Sequence, residues 1–272
     1  MGENELKMIV DGEFQRSLLH MLEVLTLCFY IECDEFPEYG FLQHLPNVKK
    51  LVVCSSSFKI IFCLQRPDDS EHLSQLKELR LESLEELVSV GLESSWIEPF
   101  VGNLETFEVI SCSCLKYLVK LRVSFSSLIC LKVENCDSLS YLFTSSTAKS
   151  LVQLQRMEIK KCKSIEEIVF KEEGEEFDED EIIFPQLNCL NLENLENLRR
   201  FYRGSLSLPL LEKLSITDCD EMETLCAGTL ETAKLSQVKL QPFLETIQLE
   251  IDLNSTISKE FLKKVYVFTF FC

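Results

Sequence analysis

The sequence predicts an α/β solenoid of stacked units, each a short strand followed by an irregular return, on three observations. The string LxxΦxΦxxCxxΦxxΦ, with Φ aliphatic, Met or Phe, occurs four times: Leu104 to Leu118, Leu128 to Leu142, Leu154 to Ile168 and Leu211 to Leu225. Its first half recurs more weakly from Leu22, Val48, Leu76, Leu187 and Leu244, which makes nine candidate units. Their starts lie 24 to 33 residues apart, about 28 on average. A unit of that size buries its apolar side only against another like it, so the chain stacks its units rather than closing one compact core.

That period is the leucine-rich repeat period, and it predicts a curved horseshoe with a parallel inner β-sheet and an irregular or short helical convex side. Within one unit, Met157 and Ile159 straddle Glu158 in the period-two pattern of a strand with one buried face. Cys162, at position nine, leaves the strand, and Ile165 and Ile168, three apart, anchor a turn or short helical stretch that returns the chain under the next strand. Neighbouring strands of such a stack lie roughly 4.8 Å apart. Leu45-Pro46, Phe184-Pro185 and Leu208-Pro209 fall just before strands, where a missing N–H does least harm to the ladder.

The domain reading follows from where the period holds. Residues 1–17 form a lead with no clear cap, 18–253 the repeat domain, and 254–272 a C-terminal tail ending in the β-prone run VYVFTFFC. Without a cap, something upstream is expected to cover Leu22, Leu25 and Leu27. The long step from Leu154 to Leu187 contains KEEGEEFDEDE at 171–181, too charged to pack, which reads as a solvated acidic loop or as a latch for a basic partner.

Composition narrows the function. With 46% apolar residues the chain has ample core material, and no apolar run approaches the length needed to span a membrane. A net charge of −18 disfavours a phosphate backbone or an anionic lipid surface as partner. Four of the 13 cysteines, Cys112, Cys136, Cys162 and Cys219, share position nine, and they read as buried structural thiols rather than a disulfide framework or a metal site. No CxxC pair occurs, and His20, His44 and His72 lie far apart. Free thiols imply a reducing compartment, hence the cytoplasm, where the sequon at Asn254 meets no glycosyltransferase. Burying a hydroxyl short of partners should make Cys162→Ser cost on the order of 1 to 3 kcal/mol.

No P-loop, GxSxG, HExxH or EF-hand motif is present, so neither a catalytic group nor a cofactor is expected. Function then falls to positions three, five and seven of the strands, which the concave face presents together. Arg80, Glu108, Lys132, Glu158 and Asn191 stand at position five, Glu134 and Lys160 at position seven, and Arg156 and Lys213 at position three. Their alternating signs have two readings. One is a self-compensating ladder that holds register, at roughly 0.2 to 1 kcal/mol per pair; the other is a recognition face for a protein. NLRRFYRG at 197–204 is the basic aromatic cluster, read as a return-side group facing an acidic loop rather than as a nucleic-acid patch.

FPQLNCLNLENLENLRRFYRG, LVQLQRMEIKKCKSIEEIV, LPLLEKLSITDCDEMETL and, at 252–261, DLNSTISKEF resemble the C-terminal repeats of plant intracellular disease-resistance proteins of the coiled-coil, nucleotide-binding class. The resemblance spans residues 18–261. It implies recognition of a pathogen effector or a guarded host protein, coupled to a nucleotide-binding module that this sequence lacks and that another chain or an upstream region would supply. A substrate adaptor of a ubiquitin ligase is the alternative, although no F-box precedes Leu22, and a truncated receptor fragment without activity is a third.

Overall fold

The computed structural model describes residues 19–31, 36, 45–62, 75–91, 101–119, 123–171, 181–240 and 253–258. They fall in two compact units, Met1–Cys136 and Asp137–Cys272. The leads, the acidic stretch 172–180, the candidate unit at Leu244–Leu249 and the run VYVFTFFC lie outside the described residues.

In the first unit, the strands β1 (Val24–Cys28), β2 (Lys50–Cys54), β3 (Ile60–Phe62), β4 (Glu78–Glu82), β5 (Ser89–Gly91), β6 (Thr106–Ile110) and β7 (Cys130–Glu134) follow in order. The five-residue strands β1, β2, β4, β6 and β7 pair in parallel, each with the next, to form the main sheet. Their register is that of the repeat: Leu51 stands beside Leu25 and Leu79, and Phe107 beside Leu79 and Leu131. These side chains and Leu27, Val53, Leu81, Val109 and Val133, at position six, are all buried. Alternation in the strand thus sends positions four and six into one shared apolar layer and leaves three, five and seven facing solvent.

The second unit contains β8 (Phe143–Thr144), the short helix α1 (Ser145–Ala148), β9 (Arg156–Lys160), β10 (Val169–Phe170), β11 (Glu181–Ile183), β12 (Cys189–Glu193), β13 (Arg200–Tyr202), β14 (Ser205–Ser207), β15 (Lys213–Thr217), β16 (Thr224–Cys226), β17 (Leu230–Glu231) and β18 (Gln237–Lys239). Its main sheet runs β9-β12-β15-β18, all parallel, with Met157, Leu190, Leu214 and Val238 side by side in the core. This is a leucine-rich repeat solenoid. The sequence reading had not marked β18, whose Leu235, Val238 and Leu240 repeat the LxxΦxΦ pattern 24 residues after Leu211.

Two tight turns bracket each strand and explain the repeat letter by letter. Before the strand, the N–H of position one donates to the carbonyl three residues back, as in Val48 to Leu45, Leu187 to Phe184 and Leu211 to Leu208. Pro46, Pro185 and Pro209 therefore sit second in their turns, where a fixed φ near −65° fits. After the strand, position nine opens the second turn: Leu115 N–H donates to Cys112, Leu198 to Leu195 and Met222 to Cys219. Between strand and second turn, position eight takes a positive φ in the eight repeats where it is described, at Phe29, Ser55, Ser83, Ser111, Asn135, Lys161, Asn194 and Asp218, with φ from 47° to 65°. This kink carries the ladder one residue further, since the N–H of Ser55, Ser83, Ser111, Lys161 and Asn194 each donates to the position-seven carbonyl of the next unit at 2.8–3.0 Å.

The returns hold three short parallel pairs, β3–β5, β8–β10 and β13–β16, and the three-stranded β11–β14–β17, where the sequence suggested turns or helix. Equivalent residues of successive returns stand close enough to share hydrogen bonds, and Ser145–Ala148 forms a short α-helix capped by the Thr144 hydroxyl accepting from Thr147 N–H. A further helical segment, 253–258, closes the β13–β16 pair: Asn254 Oδ1 accepts from Leu225 N–H at 3.1 Å and its Nδ2 donates to Cys226 O at 3.2 Å. Leu253 and Ile257 are buried beneath it.

Candidate functional site

The position-nine side chains line the interior of each unit. Cys112, Cys136, Cys162 and Cys219 are fully buried free thiols. Each donates to the carbonyl two residues back, at 3.6, 3.4, 3.2 and 3.4 Å respectively. Cys136 and Cys219 also reach the position-six carbonyls Val109 O and Leu192 O of the preceding units. The hydrogen bond between the Cys112 and Cys136 sulfurs, and then burial, push the Cys112 thiol well above its ordinary range. A thiol so placed is a poor nucleophile.

In the second repeat Ser56 occupies position nine, is buried, and donates through Oγ to Cys54 O at 2.9 Å. A hydroxyl at this position therefore has an acceptor waiting. The cost anticipated for Cys162→Ser on the ground of missing partners does not apply, and the loss reduces to about 1 kcal/mol for exchanging a soft apolar group for a polar one.

Not every cysteine follows the thiol reading. Cys28 and Cys54, both at position seven, are in register on neighbouring strands with Cα atoms 4.8 Å apart and are joined in a disulfide. In-register parallel strands bring cysteines of one column on neighbouring strands within bonding reach, so the reducing compartment expected from the position-nine thiols is at odds with this pair.

The exposed strand face collects the charged residues marked from the sequence. In the first unit Arg80 bridges Glu82 at 2.8 Å and Glu108 at 2.7 Å, which raises its pKa, the hydrogen bond with Glu82 being the main cause. Lys132 meets Glu134 at 3.3 Å, and Lys50, not marked beforehand, meets Glu78 at 2.8 Å. In the second unit Lys160 stands between Glu158 at 4.0 Å and Glu193 at 3.2 Å. Half-exposed pairs of this kind contribute at most about 1 kcal/mol each.

Three of the marked residues stand apart from these pairs. Arg156 and Lys213 are exposed at position three, and among the described residues neither makes an ion pair. Asn191 lies between their strands at position five, its Oδ1 buried and without a hydrogen-bond partner. Lys239 joins them at position five of β18, in register with Ser215; the sequence reading missed it together with its strand.

The basic aromatic cluster lies on the return side, as expected. Phe201 and Tyr202 are fully buried, so their rings offer no base-stacking surface. Arg199 Nε donates to Glu223 at 2.9 Å, Arg200 Nη2 to Glu223 at 3.1 Å, and Arg203 Nε to the nearly buried Glu167 at 2.6 Å. The three arginines are spent on the fold. Among the described residues no group of acids, histidines or cysteines is arranged to hold a metal ion, and no helix is long and apolar enough to cross a membrane.

Comparison with known proteins adds to this geometry. Residues 119–241 match the family described as plant disease resistance protein RPS2-like, leucine-rich repeats. The chain is 25% identical over 207 residues to the probable disease resistance protein At4g14610 of Arabidopsis thaliana, a match covering 71% of the chain and 27% of that protein. It is 24% identical over 200 residues to the disease resistance protein RPS5 of the same plant, covering 69% of the chain and 21% of the relative. The matched stretch is thus about a quarter of each relative's length. Among solved structures, the leucine-rich repeat domain of the type III effector XopL aligns with a TM-score of 0.46 at 15% identity, over 89% of this chain and 82% of that one.

Proposed function

From a leucine-rich repeat region of the plant disease-resistance kind, we propose that this chain is a non-enzymatic protein-recognition domain of plant defence, which binds a pathogen effector or a host protein that such an effector alters. The single observation that carries the reading is the exposed strand face, where positions three, five and seven stand in fixed register and present polar side chains over a buried apolar layer. A surface of that kind is rigid and variable at once, because its side chains change without disturbing the core beneath.

Recognition in this reading acts on a nucleotide switch carried elsewhere, on another chain or another region, and takes place in the cytoplasm. The free thiols at position nine support that compartment, and the Cys28–Cys54 disulfide counts against it. Arg80, Glu108, Lys132, Glu134, Arg156, Glu158, Lys160, Asn191 and Lys213 are the proposed contact residues.

The test is capture from leaf tissue of the tagged chain, with and without infection, followed by mass spectrometry. The reading expects one protein to be enriched and then lost when exposed face residues such as Lys132 and Arg156 are reversed in charge while the melting temperature holds. Enrichment unchanged by any face substitution would remove the face from the account.

A further inference from the structure

We infer that the exposed strand face of β9, β12, β15 and β18 docks an acidic segment of a protein partner. The inference rests on the recognition reading above and narrows it to one surface and one partner chemistry. Its basis is unspent positive charge. Arg156, Lys213 and Lys239 are all exposed on this face, and none makes an ion pair among the described residues. The first unit behaves differently, since Lys50, Arg80 and Lys132 are each held by a neighbouring carboxylate.

Register fixes how the three cations are arranged. Arg156 and Lys213 flank Cys189 on the two strands beside it, and Lys239 lies two strands from Asn191 with Ser215 between. With strands about 4.8 Å apart, Arg156 and Lys213 are separated by about 10 Å at the backbone. The floor between them is small and neutral, made of Cys189, Asn191 and Ser215. Acids on this face number two, Glu158 and Glu193, and Lys160 already lies between them. The face thus keeps a net positive charge on a chain whose total is −18.

Charge of this sign, isolated on an acidic body, attracts a carboxylate-bearing segment and steers its approach. A nucleic acid fits less well: the summed field repels a long phosphate chain, and none of the three cations has an aromatic neighbour on the face for bases to stack upon.

The experiment uses the full chain and fluorescence anisotropy. The probes are a labelled dodecapeptide of alternating Glu and Ser, its Lys-Ser counterpart, and a 12-nucleotide single-stranded DNA. The Glu-Ser peptide should bind, and the triple variant R156E/K213E/K239E should weaken it at least tenfold. The milder R156Q/K213Q/K239Q should give an intermediate loss and guards against misfolding of the first. The control K116E/K163E/K234E, which alters net charge equally away from this face, should shift affinity less than twofold.

Equal loss in both charge-reversed triples, no peptide binding, or tighter binding of the DNA would overturn the inference. So would concentration-dependent self-association that the triple reversal abolishes, since the occupant would then be a second acidic copy of this chain. A leaf protein captured equally by wild type and by R156E/K213E/K239E would leave recognition standing and sink this surface; a wild type that captures nothing would sink recognition itself.

Discussion

Ser83 holds φ at 53° with a side chain in place, a backbone shape that costs a residue bearing a Cβ roughly 1 to 2 kcal/mol. Glycine escapes that cost but gives up about 0.5 to 1 kcal/mol in chain entropy. The first figure wins, so Ser83→Gly should raise stability by about 0.5 to 1 kcal/mol in urea unfolding; a loss would show that the kink is not strained. Sequence alone did not mark position eight, because Phe29, three serines and Lys161 hide a pattern that Asn135, Asn194 and Asp218 only hint at. It did mark position nine. The raised pKa of Cys112 gives that position a pH signature. Its folded value lies above the unfolded one, so the stabilisation is complete below the ordinary thiol value of 9.0 and is lost as pH climbs beyond it. Wild type should therefore lose stability above pH 9 more steeply than Cys112→Ala, and parallel curves would contradict the assignment. In the native chain the exposed Cys114 should alkylate well before Cys112.

At the scale of elements, the strands were legible and the returns were not. Leu, Val, Ile, Met and Phe at positions four and six announce a buried strand face because alternation leaves no other arrangement. The short return strands have no such signature: Phe143–Thr144 and Val169–Phe170 pair only because stacking puts them side by side. Leu190 lies fully buried between Met157 and Leu214 in one apolar row. Leu190→Ala should accordingly cost about 2 to 5 kcal/mol, read as a fall in denaturation midpoint. The segment 253–258 gives a sharper case, since the sequence offered Asn254 as a sequon and the fold uses it as a strand substitute. Asn254→Ala strands Leu225 N–H and Cys226 O at once, and should cost about 1 to 3 kcal/mol. A neutral result would show that water replaces the amide. The charged face was legible only in part. Its columns could be read off the repeat, but which cations remain unpaired depends on lateral neighbours, and Lys239 could not be placed before its strand was known.

Within each compact unit, stability comes from the stacking of one repeat on the next, and the ordered face is a by-product of that stacking. The period is carried by apolar side chains at near-equal spacing, which is why so irregular a chain still announces its fold. Its partner is not announced, because the face is the part of the scaffold that packing leaves free to vary. Native-state hydrogen exchange, read residue by residue, probes the stacked-repeat fold directly. Slow exchange should recur at each main strand, around Leu51, Leu79, Phe107, Leu131, Met157, Leu190 and Leu214, and extend to the kink amides of Ser55, Ser83, Ser111, Lys161 and Asn194. Protection confined to one contiguous block, or with no recurrence at the strand positions, would contradict it.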